Sequence, residues 1–173
     1  ELADIDTQPL NRQIVAGVLA HHLGSDQGNV VKAFHLAKNR GINIVVTKSR
    51  ESRGFTNLVS VTLKTSREER LVAGTTLSGF GPRITQIDKF PIDVEPQGHL
   101  LLVSHYDKPG IIGKVGTLLG NNDINIATMK VGRALAGGEA IMVLTIDKDV
   151  PKDVVKQIAA LPELNSAREI RLV

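Results

Sequence analysis

The order of short segments after Gly98 is the feature that most constrains the fold. Hydrophobic residues favour β-strands in four of these segments and helices in two. In chain order they are strand 99–106, helix 111–121, strands 124–131 and 140–146, helix 149–161 and strand 167–173. Pro151 lies at the start of the second helix, where proline is favoured. The segment order is therefore strand, helix, strand, strand, helix, strand.

This order is that of the ferredoxin-like fold, a four-stranded antiparallel sheet with two helices. The first half differs, because its helices come first and its strands follow. The pattern there predicts helices 10–23 and 30–40 and strands 42–47, 57–65, 71–77, 83–88 and 92–94. The Glu-Pro-Gln-Gly segment 95–98 is a natural boundary. We therefore predict an α+β chain of two domains, 1–96 with an antiparallel sheet and 99–173 with the βαββαβ order.

Composition argues against several classes of function. The chain has 173 residues, a net charge of +3 and 3% aromatic residues, so neither a basic surface nor a stacking platform for nucleic acid is expected. The lack of cysteine excludes disulfides, thiolate metal sites and a cysteine nucleophile. No apolar run has the length of a membrane span, and we expect a cytoplasmic protein. Because the first residue is Glu1 rather than Met, we expect a piece of a longer chain.

The candidate site lies where strand 99–106 gives way to a helix. Helix amino termini have free N–H groups and bind carboxylates. Asp107 beside such an end could take an ammonium group, and Asn125 offers both a donor and an acceptor. Together these groups suit an α-amino acid. The alternative is that Asp107 caps the helix and Asn125 fills a turn, which is the commoner role of both residue types.

Two motifs in this half resemble those of the ACT domain, a family of amino-acid-sensing regulatory modules. They are His-Tyr-Asp-Lys-Pro-Gly-Ile-Ile-Gly at 105–113 and Asn-Asp-Ile-Asn-Ile-Ala at 122–127. The segments 113–120 and 147–151 resemble more closely the carboxy-terminal domain of the bacterial D-3-phosphoglycerate dehydrogenase family, which is inhibited by serine. The resemblance implies allosteric regulation of serine biosynthesis, with L-serine bound between two chains of a homodimer or tetramer. The serine site it implies comprises His105, Asp107, Pro109, Gly110, Ile111 and Asn125.

The first half is similar to the intervening domain of the long form of the same family. The matching segments are 37–42, 57–61, 73–76 and 82–84. The resemblance implies a second allosteric site that accepts anions, and it places Glu1 within or just after the first strand of that domain. Basic residues give candidates for this site, namely Lys48, Arg50, Arg53 and Lys89, of which Lys48 fits the family position. The alternative for the loop is a solvated basic surface.

Several kinds of catalytic site are not expected in this chain. No histidine pair has the i, i+4 spacing of a metal site with a carboxylate partner, so no metal is predicted. Neither a phosphate-binding loop nor a dinucleotide fingerprint occurs, so the chain should hold no cofactor and no catalytic residue. The resemblance implies NAD in the parent oxidoreductase. Two alternatives stay open, the beta chain of an iron–sulfur L-serine dehydratase and a free-standing ACT-type amino-acid-binding protein.

Overall fold

A computed structural model of the chain describes residues 2–23, 30–51 and 54–172. The chain divides into two compact units, residues 1–61 and residues 62–173. The second unit contains most of the strands of the first half together with the whole βαββαβ segment. The domain limits 1–96 and 99–173 stay a prediction from the sequence.

The first unit is mainly helical. Helix α1 spans Gln8–Leu23 and helix α2 spans Ala33–Asn39, with a 3-10 turn at Val30–Lys32 between them. The two helices contact each other, and their buried residues are Ala33 and Ala37 on α2 and Ala16 and Leu19 on α1. Small side chains let two short helices approach closely. Among the described residues, no helix has the length and hydropathy of a membrane span.

The predicted strand 42–47 is wrong. Residues 42–49 lie in neither a helix nor a strand, and the side chains of Val45 and Val46 are 78% and 50% exposed. β-Branched residues favour strands because they pack well on a pleated, half-buried surface. Within the described part of the chain no strand pairs with this segment, so β-propensity alone does not make it a strand.

A four-stranded sheet follows. Its strands are β1 Val59–Lys64, β2 Glu69–Leu77, β3 Gly81–Ile87 and β4 Phe90–Val94, in the order β1-β2-β3-β4. The β2–β3 and β3–β4 pairs are antiparallel. The register shifts between Ala73 and Gly74, where a Cβ on Gly74 would lie 2.8 Å from the carbonyl oxygen of Arg83. Glycine is therefore required at this bulge.

The second sheet confirms the ferredoxin-like prediction. Its strands are β5 Gly98–Tyr106, β6 Ile126–Arg133, β7 Glu139–Ile146 and β8 Leu164–Leu172, in the antiparallel order β6-β7-β5-β8. Helix α3 spans Ile111–Gly120 between β5 and β6, and helix α4 spans Lys152–Ala159 between β7 and β8. The α+β class is thereby confirmed, with two antiparallel four-stranded sheets.

Apolar side chains cover both faces of the second sheet. On one face, α3 and α4 cover a core of residues such as Leu101, Met142 and Leu144. On the other face, Leu100, Ile141 and Val143 pack with residues of β3 and β4, including Phe90. Strand β7 is therefore buried on both sides, which explains its nearly continuous apolar sequence. The two sheets share this second core.

Candidate functional site

The candidate site begins where β5 ends. The N–H of Tyr106 donates to the carbonyl of Glu163 at 3.0 Å, and the N–H of Asp107 donates to the carbonyl of Gly138 at 2.8 Å. These bonds hold the end of β5 between the loop that precedes β8 and the β6–β7 hairpin. The turn Lys108-Pro109-Gly110 then reverses the chain into α3.

The amino terminus of α3 is free of side-chain caps among the described residues. Its N-cap residue is Gly110, with φ 88° and ψ −16°, a left-handed conformation that glycine adopts most easily. Ile111 is buried and anchors the first turn. In a helix that begins at Ile111, the N–H groups of Ile112 and Gly113 have no carbonyl acceptor within the helix. This helix end therefore offers N–H donors and a partial positive charge to an anion.

Asp107 does not cap α3; its carboxylate faces the β6–β7 hairpin. Asp107 Oδ2 accepts a hydrogen bond from Arg133 Nη1 at 2.7 Å and one from the N–H of Gly137 at 3.2 Å. The Arg133 hydrogen bond, followed by that from Gly137, lowers the pKa of Asp107 below its ordinary value of 3.8. The carboxylate is thus ionised at neutral pH. A cation that binds to it does so with the guanidinium of Arg133 already in contact with the same group.

His105 is a buried polar residue at the same end of β5, 2% exposed. Its Nδ1 lies 2.8 Å from the carbonyl oxygen of Tyr106, so in the neutral ring Nδ1 carries the proton and Nε2 is an acceptor. Nε2 is buried and has no hydrogen-bond partner among the described residues. Buried polar atoms are almost always paired. This nitrogen is therefore a candidate acceptor for a hydrogen bond from a ligand.

Asn125 lies at the other end of the sheet from Asp107. Its Nδ2 donates to Asp147 Oδ2 at 2.7 Å, just before β6 starts. The registers place Arg133, beside Asp107, at the level of His105, and Ile126 at the level of His99. Eight residues of strand separate the two ends, or roughly 25 Å. One chain therefore brings together His105, Asp107 and the start of α3, but not Asn125.

The basic residues predicted to bind an anion have partners of their own. In the first unit, Lys48 Nζ donates to the carbonyl of Ile5, and Arg50 Nη2 lies 3.1 Å from Asp4 Oδ1. In the second unit, Lys89 is paired with Glu139 and lies 5.4 Å from the ring centroid of Phe90. Arg53 lies outside the described residues. The anion site stays a prediction.

Arg133 and Gly137 are the site residues that sequence reasoning missed. A βαββαβ sheet places β7 beside β5, so the hairpin that leads into β7 must lie next to the end of β5. The order of the strands therefore contained this signal, together with a basic residue four positions before the Gly-Gly pair of the hairpin. Asp147, the partner of Asn125, follows β7 for the same reason.

Comparisons with known proteins match both halves of the chain. Residues 1–88 match the family described as the D-3-phosphoglycerate dehydrogenase intervening domain, and residues 99–163 match the ACT domain family. The intervening-domain match precedes the ACT-domain match, in the order that the sequence predicts.

Relatives that are similar over nearly the whole chain are D-3-phosphoglycerate dehydrogenases. The Bacillus subtilis protein is 39% identical over 171 residues, which are 99% of this chain and 32% of the relative. The Synechocystis protein is 36% identical over 96% of this chain and 30% of its own length. The Methanocaldococcus jannaschii protein is 34% identical over 99% of this chain and 32% of its own length. This chain thus spans about a third of these relatives, and it belongs to the D-3-phosphoglycerate dehydrogenase family as the carboxy-terminal regulatory region, an intervening domain followed by an ACT domain.

Proposed function

We propose that this chain binds L-serine and thereby transmits feedback inhibition to a D-3-phosphoglycerate dehydrogenase. The observation that carries the proposal is the uncapped start of α3 beside the ionised carboxylate of Asp107. An α-amino acid carries one negative and one positive charge on adjacent carbons. Its carboxylate suits the N–H groups that follow Gly110, and its ammonium suits Asp107.

The buried Nε2 of His105 favours a ligand with a small polar side chain. Its buried Nε2 is an acceptor without a partner among the described residues, so a hydroxyl or an ammonium group could satisfy it. Leaving a buried acceptor unpaired costs about 1–3 kcal/mol, and a ligand that donates to it recovers that free energy. L-Serine has such a hydroxyl, which alanine lacks. This is the physical argument for serine over alanine.

Asn125 would complete the site only from a second chain. Because Asn125 and Asp107 lie at opposite ends of one sheet, two copies related by a two-fold axis could place the Asn125 of one beside the Asp107 of the other. Each dimer would then contain two equivalent sites. Serine bound at both would favour the paired arrangement, which is what allosteric control of attached domains requires.

The reaction of the parent protein belongs to the same proposal. The relatives are D-3-phosphoglycerate dehydrogenases, which favours an NAD-dependent oxidoreductase of the cytoplasm over the L-serine dehydratase chain and the free-standing binding protein. Reading the gene upstream of the codon for Glu1 tests this choice. A nicotinamide-binding domain is expected there, and a short upstream segment would overturn the assignment.

Titration calorimetry tests serine binding itself. L-Serine should bind with saturation, and alanine should bind more weakly. Asp107→Asn removes the charge but keeps the shape, and it should weaken serine binding about 10- to 100-fold, because hydrogen bonds to charged groups contribute about 1.5–3 kcal/mol. Asp153→Asn, an exposed carboxylate in the first turn of α4, is the matched control and should bind normally. A folded wild-type chain that gives no serine signal would contradict the proposal.

A further inference from the structure

Three potential metal ligands from distant parts of the sequence meet at the far end of the second sheet. His99 is at the start of β5, Asp149 is in the segment between β7 and α4, and Glu169 is on β8. One donor atom from each, an imidazole nitrogen and two carboxylate oxygens, lies within 4.8 Å of the others. We propose that these side chains form a site for a divalent transition metal, with Zn²⁺ as the expected ion.

The state of His99 is the first argument for a metal. Its Nδ1 lies 2.8 Å from Asp149 Oδ1, yet this buried atom makes no hydrogen bond of acceptable geometry with any described residue. The nitrogen is thus close to a carboxylate but not aligned with it. Metal ligands have this relation, because each ligand points at the ion rather than at its neighbour. Ligands about 2.0–2.1 Å from a tetrahedral Zn²⁺ lie about 3.3 Å apart, so this pair needs to open by only about 0.5 Å.

The second argument is that a backbone N–H holds the carboxylate of Glu169, while that of Asp149 lies at the edge of ion-pair distance from Arg171. Glu169 Oε1 accepts the N–H of Val150 at 2.8 Å, and Asp149 Oδ2 lies 4.0 Å from Arg171 Nη1. Each contact involves one oxygen of the carboxylate and leaves the other for a ligand. Such supporting contacts are usual around metal ligands, and they reduce the entropy lost on binding. Apart from His99 itself, Arg171 is the only basic residue paired with these carboxylates in the described ion pairs, and it is mostly exposed.

The donor set indicates the class of ion. Ca²⁺ and Mg²⁺ prefer shells made of oxygen alone, with six or more ligands. One imidazole with two carboxylates suits Zn²⁺ or Mn²⁺, and the affinity order of divalent metals favours Zn²⁺ over Mn²⁺. Sequence spacing did not reveal this site, because the three residues are 20 or more positions apart and only the fold gathers them.

The metal ligands are separate from the His105 and Asp107 part of the proposed serine site, and they lie at the end of the sheet where Asn125 is found. His99 and His105 are at opposite ends of β5, six residues or roughly 20 Å apart. A bound ion would join the start of β5, the segment before α4 and strand β8. It would therefore stabilise the fold of this unit without occupying the space beside Asp107.

Calorimetry with ZnCl₂ on the chelator-treated chain tests the proposal. One Zn²⁺ per chain should bind and raise the melting temperature, whereas Mg²⁺ at the same concentration should do neither. His99→Ala, Asp149→Asn and Glu169→Gln should each weaken Zn²⁺ binding on the order of tenfold or more. The two carboxylate variants keep the side-chain shape, so they stay informative if the histidine variant is unstable.

The other histidines provide the control. His35→Ala removes an exposed helical histidine that contacts Asn39, and the double variant His21→Ala/His22→Ala removes an adjacent pair. Both should bind Zn²⁺ as the wild type does. Co²⁺ in place of Zn²⁺ should give the visible absorption of a four- or five-coordinate ion, which His99→Ala removes. Unchanged affinity in all three site variants, or loss only in the His21/His22 variant, would overturn the proposal.

Discussion

The guanidinium of Arg133 and the carboxylate of Asp107 lie 2.7 Å apart, although 26 positions separate them in the sequence. The pair joins the end of β5 to the β6–β7 hairpin, and the N–H of Gly137 adds a second donor to the same oxygen. Asp107 is therefore part of the fold before any ligand arrives. An incoming ammonium group must share this carboxylate with Arg133 or displace the guanidinium from it.

The first prediction concerns the titration of Asp107. The hydrogen bond from Arg133, with that from Gly137, holds its folded-state pKa below 3.8. A lowered folded-state pKa contributes stability above the unfolded-state pKa, and this contribution is lost as the pH falls through the folded value. Arg133→Ala should raise the pKa of Asp107 toward 3.8 and move acid unfolding to higher pH.

Carboxyl NMR titration of the wild type and the Arg133→Ala variant measures this change. High salt should shrink the difference, since both side chains are partly exposed and solvent ions screen them. Identical Asp107 titration in the two proteins would show that Arg133 does not set the charge of the site.

The second prediction concerns Gly132 on β6, where the two sheets meet. A Cβ at this position would lie 2.4 Å from the carbonyl oxygen of Pro91 and 3.4 Å from the Cβ of Phe90. Because the nearest of these atoms belongs to backbone, β4 and β6 would have to separate. Gly132→Ala should lower the free energy of unfolding by about 1–3 kcal/mol, or the melting temperature by about 3–10 °C.

Gly116→Ala is the matched control for this substitution. Gly116 is inside α3, and a Cβ there meets no atom within 4 Å. Alanine should stabilise the helix by about 0.5–1 kcal/mol, because it restricts the unfolded chain. Thermal unfolding of both variants separates the two effects. A Gly132→Ala protein as stable as the wild type would mean that the sheets do not pack as closely as described.

The third prediction concerns the end of α3, which closes with paired backbone bonds. The N–H of Ile124 donates to the carbonyl of Leu119, and that of Asp123 to the carbonyl of Gly120, both at 3.0 Å. This is a Schellman motif, whose residue after the cap is left-handed, and Asp123 has φ 55°. Since non-glycine residues adopt this conformation at a cost of about 1–2 kcal/mol, Asp123→Gly should raise the melting temperature. Asp123→Ala should not, and equal melting temperatures for the two variants would refute the argument.

The fold of the second half was predictable because the hydrophobic pattern of each helix and strand is contained within its own short segment. Strand β5 is followed by a Pro-Gly turn and an amphipathic helix, and each signal agrees with the final structure. The failed strand at 42–47 shows the limit of this reasoning. Residues such as Val45 have high β-propensity, but a strand also needs a partner, and the sequence of the segment does not contain that information.

The sequence brings part of the candidate site together, but it does not show how that part is connected to Arg133 and Gly137. His105, Asp107 and Gly110 adjoin one another in sequence, so their proximity follows from the turn. The pairing of Asp107 with Arg133 depends on which strand lies beside β5. The separation of Asn125 from Asp107 depends on the same sheet order, and sequence distance alone conceals it.

The last prediction is that serine sites form between chains, because Asp107 and Asn125 lie at opposite ends of the sheet in one chain. If Asp107 from one chain and Asn125 from its partner share each site, the Asp107→Asn and Asn125→Ala variants should each bind serine weakly in every site. A mixed dimer of the two variants has one site with both residues intact and one with both changed. Equal mixing with subunit exchange should therefore restore about a quarter of the wild-type sites.

Calorimetry before and after exchange measures the restored sites, and sedimentation confirms that dimers are present. The control mixes the Asp107→Asn chain with a chain that carries both substitutions, because every site in that mixture lacks Asp107 and none should recover. Recovery in the first mixture alone requires that the two residues act across an interface. No recovery in the first mixture, with dimers present and exchange complete, would mean that Asn125 does not contribute to the Asp107 site of a partner chain.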